Sequence, residues 1–273
     1  MIWSINFTGL LVLSKSSFFV LFSLLSFTFI FDATATEQLI QKQAQSKIKT
    51  KQVIPAFTAK YTVLHKSDPV GSAVRQLSYQ ADGSINYHYK TEVKWLIFSQ
   101  TRSETSILTI KNNQVTPQHF TYTREGTGKD KHYEWRFDAE NNSAQDIGRK
   151  RKTISLDFTQ PLQDSLSYHL QHRLNLINDA SKKEYSYPVV KTSGSIADYI
   201  YQYDGEEELI LPYGLLKTIR LKREVKEKER VTYAWFAPEL DYLLVKLYQV
   251  KSGNEQFEAQ LSSLSFDDND SNK

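Results

Sequence analysis

The stretch Leu162–Ile177, LQDSLSYHLQHRLNLI, is the one long segment of the chain whose apolar residues keep helical rather than strand spacing. Leu162, Leu166, Leu170, Leu174 and Ile177 cover an arc of roughly 120° at about 100° per residue, the width of a stripe that faces a core. Pro161 stands just ahead. Gln163 or Asp164 is placed to accept the free N–H groups of the first turn. The spacing predicts a single amphipathic helix.

On both sides of this segment the period falls to two. In FTAKYTVLHK, Phe57, Ala59, Tyr61 and Val63 share one side, as a sheet with one buried and one wet face requires. Similar runs follow at 74–79, 85–89, 92–98, 107–110, 119–122 and 132–137, and after the helix at 185–190, 199–203, 216–221, 231–236, 242–250 and 257–261. Turn formers separate them, among them Ala81-Asp82-Gly83-Ser84, Gly126-Thr127-Gly128, Asp204-Gly205 and Lys251-Ser252-Gly253-Asn254. About a dozen strands joined by short turns predict a mainly β fold, a large curved antiparallel sheet in the form of a half-barrel or open barrel. A lone helix in such a fold hides its stripe against the concave face of the sheet.

Tyr233–Leu247, YAWFAPELDYLLVKL, tests that reading, because Glu239 and Asp241 could be taken for a catalytic carboxylate pair. Pro238 lacks the ladder donor and ends the strand before it, and Tyr242 starts the next. The two acids are therefore expected in a turn, with Asp241 capping backbone N–H groups there.

The ends of the chain differ from its body. Lys15, the apolar block SSFFVLFSLLSFTFIF (Ser16 to Phe31) and Ala33-Thr34-Ala35 are the three parts of a secretory signal peptide, and the block is short for a membrane span of about 20 residues. Residues 1–35 are thus expected to be a signal peptide and the mature protein periplasmic in a Gram-negative envelope, without an integral membrane segment. LLVL at Leu10 to Leu13 keeps a retained anchor open. Residues 36–54 read as a polar tether, 55–266 as a single β-rich domain and 267–273 as a disordered acidic tail. No cysteine is present, so neither a lipoprotein N-terminus nor thiolate chemistry is available.

The net charge of +3 is too mild for a nucleic-acid surface. Arg149-Lys150-Arg151-Lys152 reads as a solvated basic loop. His169 and His172, three residues apart with no Glu between them, do not match the metal-binding H-E-x-x-H pattern and are expected at the surface beside the apolar arc. His65, His88, His119 and His132 are expected on wet strand faces. No nucleophile elbow or phosphate-cradling glycine loop occurs. No catalytic residue, metal or cofactor is predicted. Arg173 falls inside the apolar arc, so its head group must snorkel out, pair, or point into whatever the sheet encloses. It is the candidate cationic contact of a ligand cavity, with Leu166, Leu170, Trp235 and Tyr242 as the apolar and aromatic lining.

Four pieces occur in order: the signal peptide ahead of the F-x-A-x-Y-x-V strand; Asp164-Ser165-Leu166-Ser167 with Arg173; Leu211-Pro212-Tyr213-Gly214 with Lys217-Thr218-Ile219-Arg220-Leu221; and Trp235-Phe236-Ala237-Pro238-Glu239-Leu240-Asp241-Tyr242-Leu243-Leu244-Val245. Together they resemble the exported bacterial proteins grouped as domain of unknown function 3108, over about residues 55 to 265. Leu244 and Leu211 depart from that pattern, where Pro and Thr are usual. The resemblance implies a β-rich envelope protein without an assigned activity, similar in architecture to periplasmic lipoprotein-carrier half-barrels. Three functions stay open. The aromatic content (16 Tyr, 15 Phe, 4 Trp) favours a non-catalytic binder of a lipidic or amphipathic envelope component. The alternatives are an assembly factor with an envelope protein partner and, more weakly, an envelope-polymer hydrolase.

Overall fold

The computed structural model describes residues 54–148 and 152–266. The signal peptide, most of the tether, the acidic tail and three of the four residues of the basic run lie outside them. Before the helix come β1 (Phe57–His65), β2 (Asp68–Tyr79), β3 (Ile85–Trp95), β4 (Phe98–Lys111), β5 (Gln114–Gly126), β6 (Lys131–Asp138), β7 (Ser143–Asp146), β8 (Thr153–Ser155) and β9 (Gln163–Asp164). After α1 (Ser167–Asn178) come β10 (Glu184–Val190), β11 (Ile196–Leu211), β12 (Gly214–Val225), β13 (Arg230–Ala237), β14 (Leu243–Lys251) and β15 (Asn254–Phe266).

All fifteen strands join one sheet in the order β8-β7-β6-β5-β4-β3-β2-β1-β15-β14-β13-β12-β11-β10-β9. Every pairing is antiparallel except β9 with β10, which is parallel. The first and last strands meet in the middle, with Phe57 opposite Phe266 and Val63 opposite Ala259. The outer edges, β8 and β9, are neighbours in sequence. A connection from Leu156 to Leu162 must link them, so the sheet has to curl until its edges come within reach of a short segment. They do not pair with each other. β9 passes inside β5 instead, where Gln163 Nε2 donates to the Val115 carbonyl at 2.9 Å and the Val115 N–H donates to Gln171 Oε1 of α1 at 2.7 Å. The result is an open, overlapping roll, mainly β with one helix among the described residues.

Alternation sets the inner face. Phe57, Ala59, Tyr61 and Val63 of β1 are all buried, and so are Leu77, Ile85, Tyr87, Leu108 and Phe120 of the next strands. Leu162, Leu166, Leu170 and Leu174 pack with them in one core, as the stripe predicted. On the opposite side of α1, Tyr168 and Leu176 join Tyr185, Tyr187, Tyr201, Leu221 and Phe236 in a second cluster. Residues of both halves of the sheet thus close on the helix.

Four local expectations change. The helix begins at Ser167, because Asp164 Oδ1 accepts the N–H groups of Leu166 and Ser167, each at 2.7 Å, while Leu162–Asp164 runs extended into β9. Ile177, at the end of the stripe, is 36% exposed. Glu92–Phe98 is not one strand but the end of β3, a turn at Leu96-Ile97 and the start of β4, with Trp95 opposite Phe98. Asp204-Gly205 does not separate two strands either. It lies at an irregularity within the long β11, between Tyr203 and Glu206, where Gly205 takes a φ of +115° that suits a residue without Cβ.

Candidate functional site

Inward-facing positions on the upper parts of the strands, beyond the N-terminal end of α1, change from aliphatic to cationic and aromatic. Across β2 to β6 a single ladder row reads Arg75, Tyr89, Glu104, Tyr122, Tyr133, each residue opposite the next. From the other half, Phe257, Gln249, Thr232 and Arg223 form a second row. These rows, with Leu166, Tyr168 and His169 of the helix and its approach, enclose a cavity of about 430 Å³.

Six cationic side chains line it, Arg75, Arg102, Arg223, Arg230, Lys131 and Lys191, against one carboxylate, Glu104. Glu104 is already engaged: it is 2% exposed and takes the Arg102 guanidinium in an ion pair, with Arg102 Nε at 2.6 Å. Arg75 is 6% exposed and stacks over Tyr89 at 5.3 Å and Tyr87 at 5.8 Å, yet its Nε has no hydrogen-bond partner among the described residues. The Nε of Arg230 is likewise buried and unpartnered. Arg223 lies 3.5 Å over the Tyr199 ring. Burial, followed by the charge of Arg75, holds the His169 imidazole well below its ordinary pKa, so it stays neutral.

A second cavity of about 280 Å³ shares Tyr89, Arg102 and Phe257 with the first and continues away from the helix. Its walls are mostly apolar: Val63, Val70, Val93, Trp95, Phe98 and Ala259. The interior therefore offers a cationic chamber joined to an apolar one. Arginine in such a chamber suits phosphate or carboxylate, which its planar fork can bind with two N–H groups.

Of the five residues singled out from sequence, Leu166 lines the cationic chamber. Leu170 is in the packed core. Arg173 is 4% exposed and turns to the segment after β13, donating from Nε to the Asp241 carbonyl at 2.8 Å and from Nη2 to the Leu240 carbonyl at 3.1 Å, with the Phe57 ring 5.1 Å away. Tyr242 sits at the same turn, its N–H donating to the Ala237 carbonyl at 2.9 Å. Trp235 is on the face of β13 opposite Ala234 and Phe236, its Nε1 donating to Glu207 Oε1 at 2.7 Å. The structure thus brings Arg173 and Tyr242 together at one turn and places both away from the cavity walls.

Pro238–Leu240 is a 3-10 turn and Asp241 follows it in the left-handed region, so Glu239 and Asp241 belong to a turn as predicted. Asp241 serves through its backbone, its N–H donating to the Pro238 carbonyl and its carbonyl accepting from Arg173. His172 is not at the surface. It is 1% exposed and stacked at 4.8 Å on Phe236, and burial lowers its pKa from 6.5 to about 3. The sheet covers α1 on the side where solvent was expected.

The cationic lining was missed because each arginine is isolated in sequence. The available signal was parity: Arg75 falls on the same strand face as Ala73 and Leu77, and Arg223 on the same face as Leu221. An arginine on a core-facing register has to meet something inside.

The family described as "Protein of unknown function (DUF3108)" matches residues 57–260. The chain belongs to the DUF3108 family. The DUF3108 match runs from the first residue of β1 into β15 and so contains every residue of both chambers. Among solved structures, a beta-barrel-like protein of domain of unknown function DUF1849 from Brucella abortus is similar at 9% identity with a TM-score of 0.51, over 79% of this chain and 99% of that one. That likeness is one of fold. A DUF1089 family protein from Pseudomonas aeruginosa aligns at 8% identity with a TM-score of 0.34, over 63% of this chain and 87% of that one. No curated protein matches.

Proposed function

We propose that this protein is exported to the periplasm and there binds, without chemical conversion, an anionic amphiphile of the cell envelope. The acidic head group lies among Arg75, Arg102, Arg223 and Arg230, and the apolar part extends between Val63, Val93, Trp95 and Phe98. The observation that carries this reading is Arg75, a nine-tenths buried cation whose Nε is left without an acceptor in a chamber of like charges. An uncompensated buried charge is costly, and an anion held in the chamber would offset that cost. The junction with an apolar chamber supports a ligand carrying a hydrocarbon part rather than a free anion.

Titration with dodecyl phosphate, inorganic phosphate and dodecyltrimethylammonium tests the reading. Dodecyl phosphate should bind at least tenfold more tightly than either of the others. Equal binding of the two dodecyl compounds would remove the arginines from the argument, and equal binding of the two phosphates would remove the tail. Mass spectrometry of an organic-solvent extract of the native protein then identifies the natural ligand.

A further inference from the structure

The β3–β4 hairpin ends in four consecutive apolar residues, Trp95-Leu96-Ile97-Phe98. Leu96 is 88% exposed, Ile97 98%, Trp95 47% and Phe98 37%. Two-residue hairpin turns favour Gly or Asn, and a turn with positive φ at its first central position favours Gly there. Here that position is Leu96, with a φ of +53°. Neither turn chemistry nor hydration explains two bare branched side chains at this tip.

Strand direction shows what accompanies it. β1, β3, β5, β10, β12 and β14 all finish at the same end of the sheet, so the turns and strand ends there carry Lys66, Lys94, Arg124, Lys129, Lys131, Lys191 and Lys251 against Asp68, Glu125, Asp130 and Glu255, while Lys226–Glu229 is balanced. The opposite end carries Asp82, Asp138, Glu140, Asp157, Asp179, Glu239 and Asp241 against Lys111, Lys182 and Lys183. The sheet is thus electrically polar, with its apolar projection at the basic end. Trp95 and Phe98 also belong to the wall of the apolar chamber.

We infer that this end docks on an anionic lipid bilayer, with Leu96 and Ile97 inserted among the acyl chains and the surrounding lysines at the headgroups. Lysines near an anionic surface each add attraction, and apolar side chains anchor what the charges collect. The inference does not depend on what the interior holds.

The test uses protein purified after expression of the full chain, mixed with vesicles of phosphatidylcholine alone or with phosphatidylglycerol. Flotation should recover it with the phosphatidylglycerol vesicles, and brominated acyl chains should quench fluorescence that is missing in Trp95→Phe. Ile97→Glu alters only an exposed turn and should lower vesicle partitioning at least tenfold with unchanged circular dichroism. Ile210→Glu, at an equally bare position (87% exposed) near the acidic end, should leave it unchanged. Equal loss in both variants, loss in neither, or quenching independent of Trp95 would overturn the proposal. So would sedimentation showing a wild-type dimer that Ile97→Glu dissociates, since the tip would then meet a second copy.

Discussion

Arg75 of β2 stands directly across the ladder from Tyr89 of β3, its guanidinium carbon 5.3 Å from the ring centroid, while its Nε is buried without an acceptor among the described residues. Aromatic stacking holds this cation in place but does not neutralise it.

Replacing it should therefore separate binding from stability. Arg75→Met keeps the stem's volume and removes the charge, and the ligand-free protein should gain about 1–3 kcal/mol. Dodecyl phosphate affinity should fall at least tenfold. Thermal unfolding with and without dodecyl phosphate reads both quantities, and a variant that loses both would make Arg75 a structural residue.

Arg173 should behave in the opposite way. Its Nε and Nη2 donate to the carbonyls of Asp241 and Leu240, while Nη1 is buried without a partner among the described residues. Arg173→Met strands the two carbonyls and should cost about 2–4 kcal/mol. Binding of dodecyl phosphate by the folded fraction should be unchanged. Urea unfolding followed by titration below the transition measures each effect.

His172 links stability to acid. Its folded pKa, about 3, lies below the ordinary 6.5, so protonation favours the unfolded chain. The stability of the neutral ring is fully present above pH 6.5 and is lost as pH falls towards 3, amounting to about 3 kcal/mol by pH 4. His172→Phe keeps an aromatic ring against Phe236 and Tyr187 and should remove its share of this slope in urea melts between pH 7 and pH 4, leaving the share of His169.

Asp164 carries a slope of the other sign. Burial chiefly, with the nearby Glu104 charge adding to it, raises its pKa from 3.8 to about 6, against hydrogen bonds from Ser106, Ser167 and Leu166. Its contribution is fully present below pH 3.8 and is lost as pH rises through 6. Asp164→Asn keeps an acceptor for the Leu166 and Ser167 N–H groups. Its stability relative to wild type should rise between pH 4 and pH 7 and then level off, by on the order of 2–3 kcal/mol. A flat difference would mean that the carboxyl titrates normally.

How far the sequence could be read depended on whether a signal was local. Phe57, Ala59, Tyr61 and Val63 declared their face by alternation, and Leu166, Leu170 and Leu174 declared theirs by helical spacing, since each pattern is complete within a few residues. Pro238 marked a true turn. Leu96-Ile97 did not, because the turn there uses residues without turn propensity. His172 was misplaced because a helix enclosed from both sides has no wet face, and that enclosure is a property of the rolled sheet. The chamber was hidden for the same reason: Arg75, Arg102, Arg223 and Arg230 converge only after strands distant in sequence curl towards one another.

The pairing of β1 with β15 gives the fold an unusual dependence on residues 254–266. In most sheets a terminal strand lies at the rim, and trimming it leaves the remainder intact. Here the 13 residues of β15 form the midline, so a chain lacking them would have its two half-sheets joined through their far margins and the helix packed between them and no longer through a central ladder. The central ladder cannot form until β15 is present. Such long-range closure is intrinsically slow, and a chain exported unfolded, as proposed above for this one, would benefit from that delay.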